Sequence, residues 1–572
     1  MANFYSDIEE IRFELENSPL MQRIVGLKES DFADKDECDY APRDYEDAID
    51  SYHRLLEVAG DITANVVAPN AESVDAEGVH LENGRIRYAS KTYENLDAVN
   101  RAGLTGMTMP RRYGGLNLPV TVYTAVSEMV ARADAGFQNI WSLQDCIETL
   151  YCFGSEEQRQ KYIPRVCAGE TMSMDLTEPD PGSDLQSAML KATFDEENKC
   201  WRLNGSKRFI TNGDSDIHLV LARSEEGTRD GRGLSMFIYD KRDGGVDVRR
   251  IENKMGIHGS PTCEVVYKNA KCELCGERKF GLIKYVMSLM NGARLGIAAQ
   301  SVGLSQAAFN EAVAYARDRK QFGKAIIEFP AVAEMISNIK ARLDAGRAML
   351  YQTARYVDIY KNLEDVGRER KLTAEERQEL KEYSRLADAF TPLAKGMNSE
   401  YANQNAYDCL QVHGGSGYML EYASQRLYRD ARIVNIYEGT TQMQVVAAIR
   451  YVTNGLYSTV IQDMERKAMM AGLENDYTLR RLKEMAGKFN ACTAAVKEVE
   501  GQEFHDLCAR HLYEMAGSII MSHLLMQNAL KAPQLFGSSL QVYVNLAEAE
   551  VEKQFTWIRK MTPDKAEYYR QE

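Results

Sequence analysis

Hydrophobic and polar positions repeat with two different periods along the chain. From residue 44 to about 169, apolar residues recur every three or four positions, as in VTVYTAVSEMVARADAGF (120–137), which predicts helices. Between about 171 and 274 the period shortens to two, in CWRLNGSKRFITNG (200–213), IHLVLARS (217–224) and LSMFIYD (234–240). Gly, Asn and Asp separate these runs, as is typical of antiparallel strands. The pattern predicts a sheet domain between two helical regions.

Helical periodicity returns after Gly281. In VAEMISNIKARLDAGRAMLYQ (332–352), apolar residues keep the spacing of a buried helical stripe. The charged segment 368–383 predicts a solvated helical hairpin. A further helical block begins at about Tyr451, and Pro533 divides it from a last long helix because proline cannot continue a helix interior.

These patterns predict five regions in a chain of 572 residues. They are an N-terminal extension of a helix and a tether (1–43), a helical domain (44–170), a middle β-domain (171–280), a helical-bundle domain (281–450) and an additional C-terminal helical domain (451–572). The expected fold class is mainly α with a central antiparallel β-domain.

Charge and composition exclude several classes of function. The net charge is -15, and nucleic-acid binders and proteins that dock on anionic membranes by charge need a basic surface. No run reaches the roughly 18 apolar residues of a membrane span, and the acidic start MANFYSDIEE is not typical of a signal peptide. Eleven scattered cysteines indicate reduced thiols, so we expect a cytoplasmic protein without integral membrane association.

The sequence lacks the common nucleotide-binding loops. It contains no Gly-x-Gly-x-x-Gly after a strand and no phosphate loop with Gly-Lys-Ser/Thr, so any nucleotide cofactor is held differently. KCELC (271–275) has no second ligand pair, so we expect no metal and interpret both cysteines as loop residues without a role.

Four segments offer binding chemistry, each with a simpler alternative. DLTEPDPGSD (175–184) exposes backbone N–H groups and hydroxyls, or is a plain turn. KRFITNG (207–213) places an aromatic residue on a strand, or ends in a simple Asn-Gly hairpin. YARDRKQFG (315–323) offers a phosphate clamp at Arg319, or a solvated helix end. HGGSGY (413–418) allows close backbone approach, or only caps a helix.

A single carboxylate stands out in ARIVNIYEGTTQMQVV (431–446). A solvated helix face would carry several charges and a core strand none, yet Glu438 is alone before Gly439. Apolar neighbours such as Ile436 and Met443 are expected to bury it, and burial makes a carboxylate a stronger base. Glu438 is therefore a candidate general base rather than a structural acid.

Taken together, the segments resemble the acyl-CoA dehydrogenase family. GSEEQRQKYIPRVCAGE (154–170), LTEPDPGSD (176–184), LNGSKRFITNG (203–213), YARDRKQFG (315–323), QVHGGSGY (411–418) and RLYRDARIVNIYEGTTQMQ (426–444) follow the family order. The extra C-terminal block is similar to the extended branch that includes 3-methylmercaptopropionyl-CoA dehydrogenases. The resemblance implies a helical domain, a β-barrel-like domain and a four-helix bundle, followed by the extra helical domain.

The resemblance also implies the chemistry. Glu438 falls on the family's catalytic base, which removes the proton α to a thioester carbonyl while hydride leaves the β-carbon for FAD. The implied reaction is FAD-dependent dehydrogenation of an acyl-CoA with a short to medium or substituted chain to the trans-2-enoyl-CoA. Electrons then pass to electron-transfer flavoprotein, and the enzyme is expected to be a homodimer acting in fatty-acid β-oxidation.

Site roles carry over from the resemblance position by position. Thr177 is expected to hydrogen-bond the flavin. The residues implied to reach the FAD of a neighbouring subunit are Arg319, Phe322, Gln411, Gly414 and Gly415. The residues implied to contact FAD are Leu176, Thr177, Gly182, Ser183, Phe209, Ile210, Thr211, Arg319, Phe322, Gln411, Gly414, Gly415, Thr440 and Gln442. Those implied to contact the acyl-CoA are Ser183, Asn291, Arg294 and Gly439.

Three alternatives remain open from the sequence. An acyl-CoA oxidase shares the base and the flavin but is reoxidised by oxygen. A non-catalytic binding protein on the same fold is disfavoured by the acidic chain. A long-chain enzyme is also open, although bulky Trp141, Leu143 and Tyr151 in 137–154 are candidates to close a substrate tunnel unless they are ordinary helix core.

Overall fold

The structure is a computed structural model that describes residues 2–569, in two compact units. The first unit contains the described residues up to Leu15, together with 19–303 and 361–371. The second contains 16–18, 304–360 and the described chain from Leu372 onward. Helices dominate both units, and the first unit also holds the sheet domain, as the periodicity predicts.

Within the described residues, nine α-helices precede the main sheet. Short polar side chains begin several of them: Asp134 accepts hydrogen bonds from the backbone N–H groups of Gly136 and Phe137, and Ser155 forms a capping box with Gln158. Their bounds are α1 Glu9–Glu16, α2 Met21–Lys28, α3 Tyr45–Ile62, α4 Ala68–Glu77, α5 Ser90–Arg101, α6 Val120–Ala133, α7 Ala135–Trp141, α8 Cys146–Phe153 and α9 Glu156–Cys167.

The N-terminal segment differs from the expected helix and tether. It contains two helices, and their apolar residues, including Ile11 and Met21, are buried. Arg111 forms a bidentate hydrogen bond with Glu29, with both side chains at most 7% exposed. The tether prediction is wrong because this segment has its own amphipathic pattern and a buried ion pair that ties it to the first unit.

The described part of the first unit contains nine strands. A small hairpin pairs β1 His80–Glu82 with β2 Arg85–Arg87. The other strands are β3 Met172–Asp175, β4 Lys191–Asp195, β5 Cys200–Thr211, β6 Ile217–Arg223, β7 Leu234–Asp240, β8 Val246–Ile251 and β9 Thr262–Cys275. The pairings β6–β4–β5–β9–β7–β6 close into a ring, which is the expected barrel-like domain.

Two pairings in this domain break the expected antiparallel rule. β3 pairs with β6 in parallel, with Met172 opposite Ile217, and β4 also pairs with β6 in parallel, with Lys191 opposite Arg223. Parallel neighbours need a long crossover connection, and the chain between β3 and β6 supplies one that includes β4 and β5. The prediction of antiparallel strands is confirmed for the other pairings of the sheet and wrong for β3–β6 and β4–β6, which no local pattern could reveal.

Two local interpretations of the β-domain also change. Asn212 and Gly213 follow β5, but β5 pairs with β4 and β9 and not with β6, so the Asn-Gly dipeptide does not make a simple hairpin. Cys272 and Cys275 lie in β9 and are buried, so they are core residues and not loop cysteines. Cys272 packs with Ala270 in one core cluster and Cys275 packs in another, so both have an ordinary packing role.

The helices after the sheet are longer. α11 ends at Glu369 and α12 begins at Ala374, and Thr373 caps α12 through a capping box with Glu376, which confirms the predicted helical hairpin. Their bounds, with those of a second small hairpin, are α10 Met287–Asp318, β10 Lys320–Gln321, β11 Lys324–Ala325, α11 Pro330–Glu369, α12 Ala374–His413, α13 Ala423–Ala431 and α14 Thr441–Thr453.

Five further α-helices form the additional C-terminal region of the second unit, as far as residue 569. They are α15 Leu456–Met470, α16 Tyr477–Glu498, α17 Gln502–Lys531, α18 Pro533–Lys560 and α19 Pro563–Ala566. Pro533 starts α18 as predicted. Ser539 of α18 donates a hydrogen bond of 2.5 Å to the buried carboxylate of Asp344 on α11. Among residues 2–569, no helix combines the length and apolar character needed to cross a membrane.

A buried histidine in α17 makes the second unit sensitive to acid. His523 is 2% exposed, and its Nε2 atom has no hydrogen-bond partner among the described residues. Burial lowers the pKa of His523 to about 4, below the usual value near 6.5 for an unfolded chain. Between these values the unfolded chain binds the proton and the folded chain does not, so stability falls as the pH is lowered through this window.

We expect His523→Leu to reduce this acid sensitivity. From pH 7 to pH 4 the substitution should spare about 3 kcal/mol of the stability that the wild type loses, since a shift of one unit is worth about 1.4 kcal/mol. Urea denaturation at both pH values measures the difference, and His80→Gln, at an exposed position of β1, is the control. Equal acid losses in the wild type and His523→Leu would contradict the assignment.

Candidate active site

The backbone around Glu438 makes a tight left-handed turn in the second unit. After α13, the backbone N–H groups of Ile436 and Tyr437 both donate to the Ile433 carbonyl. Glu438 then has φ +54° and Gly439 has φ +86°. Left-handed backbone at a residue with a side chain costs about 1–3 kcal/mol and collects at functional sites. The glycine is therefore favoured by the turn itself.

The surroundings of Glu438 are less enclosed than the sequence suggests. Glu438 and Met443 are half-buried, but Ile436 is 43% exposed. Ile436 lies in the irregular turn before Glu438, where no helix or strand directs it into the core. The expectation that Ile436 buries the carboxylate is wrong for the isolated chain.

Thr440 and Gln442 follow the turn at the start of α14. Thr440 caps the helix, and its side-chain oxygen accepts a hydrogen bond from the Met443 N–H. Gln442 is exposed. The predicted residues Glu438, Gly439, Thr440 and Gln442 thus form one short continuous segment at the N-terminus of a helix, a favourable place for an anionic group.

A second group of predicted residues lies at the end of α10. Phe322 occupies the turn between β10 and β11 with φ +49°, and its side chain is 94% exposed. Arg319 is also exposed, and within residues 2–569 its guanidinium makes no ion pair. An exposed aromatic ring beside an available cation can hold an aromatic ligand that carries phosphate.

The glycine-rich loop 414–418 packs beside this helix end. The ring of Tyr315, one turn before Arg319, stacks on the His413 ring with the ring centres 4.3 Å apart. The Tyr315 hydroxyl donates a hydrogen bond to the Ser416 hydroxyl. A methyl group built on Gly414 or Gly415 meets no atom within 4 Å, so the backbone there is open. Gln411 is exposed beside them. The structure therefore brings Gln411, Gly414 and Gly415 close to the Arg319 end of α10.

In the first unit, the loop after β3 is anchored to β5 by a buried ion pair. Lys207 is fully buried and donates to the Leu176 carbonyl at 2.9 Å and to Glu178 at 2.8 Å. Burial lowers the pKa of Lys207, while Glu178 opposes that shift. Glu178 in turn accepts from the backbone N–H groups of Met189 and Leu190. The segment that carries Leu176 and Thr177 is thus held firmly against β5.

Phe209 lies at an irregular point of β5. The register between β5 and β9 shifts between Lys207 and Ile210, and Phe209 has φ +61° and a side chain that is 51% exposed. The Arg208 guanidinium lies 4.6 Å from its ring centre. Such a bulge re-aims a side chain out of the sheet, so the ring is available to a ligand.

The remaining predicted residues of the first unit have mixed placements. The side chains of Ile210 and Leu176 are buried in the protein core. Thr177 and Thr211 are half-buried, Ser183 is exposed, and Gly182 is open on its Cβ side. On α10, Arg294 donates to Asn291 at 3.3 Å, so these two predicted substrate contacts are neighbours.

Each unit, taken by itself, offers groups that fit part of FAD. The first unit offers hydroxyl groups and the exposed ring of Phe209, which suit a flavin ring and a ribityl chain. The second offers the guanidinium of Arg319 and open glycine backbone, which suit a pyrophosphate. No group of three or more metal-binding side chains occurs in residues 2–569. The arrangement favours an organic cofactor with phosphate groups.

Models of protein families cover nearly the whole chain. The model described as "Acyl-CoA dehydrogenase, N-terminal domain" matches residues 50–170, the middle domain 173–270 and the C-terminal domain 283–452. A further model, "Acyl-CoA dehydrogenase C terminal", matches 453–566. The chain belongs to the acyl-CoA dehydrogenase family. It is accordingly an oxidoreductase, and FAD is its cofactor.

Two curated relatives show the range of the family around this chain. The 3-methylmercaptopropionyl-CoA dehydrogenase of Ruegeria pomeroyi is 33% identical over 422 residues, which is 69% of each chain. The 3-(aryl)acrylate reductase of Clostridium sporogenes is 32% identical over 68% of this chain and 96% of its own. The chain is thus similar both to a dehydrogenase and to a reductase.

Two solved structures share the fold. A chain from "Electron transferring flavoprotein of Acidaminococcus fermentans: Towards a mechanism of flavin-based electron bifurcation" is 30% identical, with TM-score 0.60, over 70% of this chain and 97% of its own. An acyl-CoA dehydrogenase from Bacillus anthracis has TM-score 0.74 over 91% of this chain and 90% of its own. Its 23% identity supports the fold, including the C-terminal helical region.

The sequence did not reveal the buried residues that support the backbone of the candidate site. Lys207, Lys395 and Gln444 are buried and donate to backbone carbonyl groups of predicted site residues, and buried Glu178 pairs with Lys207. One signal was available for Lys395, which is a lone cation in the apolar run AFTPLAKGM (389–397), much as Glu438 is a lone acid in its own segment.

We expect Lys207→Met to loosen the β-domain strongly. Removing one partner of a buried ion pair leaves the other charge without compensation and costs about 3–5 kcal/mol. Hydrogen exchange of peptides that cover β5 measures the local stability. Lys199→Met, which removes an exposed pair with Glu196, is the matched control and should cost less than about 1 kcal/mol. Equal effects of the two substitutions would argue against the anchoring role.

Proposed function

We propose that this enzyme oxidises the α,β-carbon bond of a short to medium or substituted acyl-CoA to the trans-2-enoyl-CoA, with Glu438 as the base. The single observation that carries the proposal is the left-handed turn at Glu438 and Gly439, which places one carboxylate beside a glycine at the start of α14. That backbone strain is explained if the turn serves the reaction.

In this proposal the residues of the chain have three roles: proton removal, substrate binding and flavin binding. Glu438 takes the proton from the carbon α to the thioester carbonyl, and Gly439 leaves room for the thioester. Asn291 and Arg294 hold the CoA ester on α10. Thr177, Ser183, Phe209 and Thr211 hold the flavin in one chain. When bound, FAD supplies the acceptor for the hydride from the β-carbon.

We further propose that the reduced enzyme passes its electrons to electron-transfer flavoprotein. The likeness to a chain from a study of an electron-transferring flavoprotein supports this partner. The free state of all eleven cysteines supports action in the reducing cytoplasm. Because the flavoprotein and not oxygen accepts the electrons in this proposal, little hydrogen peroxide should form in air during turnover with the flavoprotein. Stoichiometric peroxide would indicate an oxidase instead.

We expect Glu438→Gln to keep FAD and to lose catalysis. The amide cannot accept the α-proton, so turnover should fall at least about 10²–10⁴-fold. The visible spectrum of the purified variant reports FAD content, and a dye-linked assay with acyl-CoA reports turnover. Exposed Glu421→Gln is the control. Turnover close to that of the wild type in Glu438→Gln would refute the assignment of the base.

We propose a homodimer with part of each FAD site supplied by the partner chain. The residues that the family resemblance assigns to a neighbouring subunit's FAD are exposed on this chain, including Phe322 at 94%, and exposed apolar residues such as Tyr418 and Leu420 lie close by in sequence. Apolar surface of this kind is typical of an interface between chains.

This arrangement predicts the behaviour of Arg319→Ala. Loss of a guanidinium that contacts phosphate should weaken FAD retention by about tenfold or more, since charge-assisted bonds are worth about 1.5–3 kcal/mol. Equilibrium dialysis measures FAD binding and sedimentation measures the mass; exposed Arg249→Ala is the control. An FAD-loaded monomer in the wild type would exclude the shared site.

The proposed chain length has its own test. Trp141, Leu143 and Tyr151 are buried, and Trp141 is fixed by a hydrogen bond to the Leu104 carbonyl and by stacking on Tyr123. Bulky fixed side chains in this segment leave little depth for a long acyl chain. We expect kcat/KM for butanoyl- or octanoyl-CoA to exceed that for hexadecanoyl-CoA by about tenfold or more, since each lost methylene contact is worth about 0.8 kcal/mol. A preference for hexadecanoyl-CoA would contradict the assignment.

A further inference from the structure

A buried lysine lies directly behind the Glu438 turn. Lys395 is in the middle of α12, its side chain is fully buried, and its Nζ atom donates to the Gly439 carbonyl at 2.7 Å. Its neighbours on α12 from Ala389 to Ser399 are buried as well. An ammonium group is costly to bury, so its presence in this apolar segment calls for a specific use.

A second buried side chain binds the same carbonyl. Gln444, from the first turn of α14, donates to the Gly439 oxygen at 2.8 Å and to the Glu438 oxygen at 3.3 Å. Two donors from two different helices therefore converge on one peptide group. They hold the two consecutive left-handed residues in a conformation that the chain would otherwise leave readily.

α12 also binds both ends of the segment that contains the turn. Asn403 donates to the Ala431 carbonyl at 2.8 Å, and Glu400 accepts from the Thr441 hydroxyl at 2.5 Å. The turn is thus fastened to one helix before, within and after the position of Glu438.

The additional C-terminal region packs on α12 at the same level. The Tyr513 hydroxyl of α17 donates to the Pro392 carbonyl at 2.8 Å. A methyl group on Gly396, next to Lys395, would lie only 2.0 Å from that hydroxyl and 3.3 Å from Gln444. Helix α17 of the C-terminal region therefore fixes the position of the part of α12 that carries Lys395.

We propose that Lys395, together with Gln444, is a positioning residue for the catalytic base: it pins the Gly439 carbonyl and so fixes the Glu438 carboxylate at the distance that proton removal requires. This inference rests on the proposed function of Glu438. Lys395 acts through the backbone of the turn and takes no part in proton transfer. In this account the C-terminal region contributes to catalysis by bracing α12.

The inference predicts a specific kinetic pattern. Without the ammonium, Glu438 moves relative to the α-carbon, and a displacement of about 1 Å costs about 100-fold in rate. Lys395→Met should therefore lower kcat about 10- to 100-fold, with KM for octanoyl-CoA and FAD content unchanged. Lys395→Arg keeps a donor and a charge and should recover part of kcat. Gln444→Met removes the second donor and should lower kcat in the same direction.

Asn398→Ala is the matched control. Asn398 is buried three residues further along α12 and also donates to a carbonyl, that of Gly346 on α11, but it does not bind the turn. Its loss should lower the melting temperature, because a buried hydrogen bond is removed. It should leave kcat within about twofold of the wild type, because the hydrogen bonds to the Glu438 turn remain. If Lys395→Met does not fold, Gln444→Met carries the test with the same readouts.

The outcomes separate the two claims. A fall in kcat at constant KM and FAD content in Lys395→Met or Gln444→Met, absent from Asn398→Ala, supports positioning. Unchanged kcat in both variants, or parallel loss of FAD and kcat as in a merely destabilised protein, overturns it. Glu438→Gln is measured in parallel: if Glu438→Gln is inactive while both variants keep full kcat, only the positioning inference fails. If Glu438→Gln stays active, the proposed function itself fails.

Discussion

The left-handed backbone at Glu438 and Gly439 is the constraint on which the proposed catalysis depends. Such a turn is unstable by itself, since a residue with a side chain pays for the left-handed conformation. Here it is held by hydrogen bonds from α12 and α14 to the two carbonyl oxygens of the turn. Helices α12 and α14 support this segment directly, and α17 supports it through its contact with α12.

The first unit uses the same physical principle around the flavin segment. The buried pair of Lys207 and Glu178 ties the loop after β3 to β5, and the backbone of Phe209 is left-handed at a bulge in that strand. In both units a buried lysine donates to a main-chain carbonyl beside a residue of the predicted site. A hydrogen bond from a buried ammonium group is stronger than one in water because the local dielectric constant is low. Such a bond is suited to sites where a small displacement lowers the rate.

Part of this arrangement could be predicted from the sequence, and the reasons differ from residue to residue. Strands β5, β6 and β7 were predictable because short apolar runs bounded by Gly, Asn and Asp are a local pattern, although β6 and β7 are buried on both faces and do not alternate. Pro533 marks a helix start by its own chemistry. Glu438 was predictable because a lone acid in an apolar segment is conspicuous. The Lys207–Glu178 pair spans 29 residues and the Lys395–Gly439 contact 44 residues, so no local pattern contains them. The parallel pairing of β3 and the buried helices of the N-terminal segment likewise depend on distant partners.

The central claim is that Glu438 removes the proton α to the thioester carbonyl. The most direct test is deuterium incorporation at the α-carbon of an acyl-CoA analogue that can be deprotonated but not dehydrogenated, followed by mass spectrometry in D₂O. The account predicts that the FAD-loaded wild type exchanges this hydrogen and that FAD-loaded Glu438→Gln exchanges it at least about 100-fold more slowly. Exchange at the wild-type rate in Glu438→Gln would contradict the account.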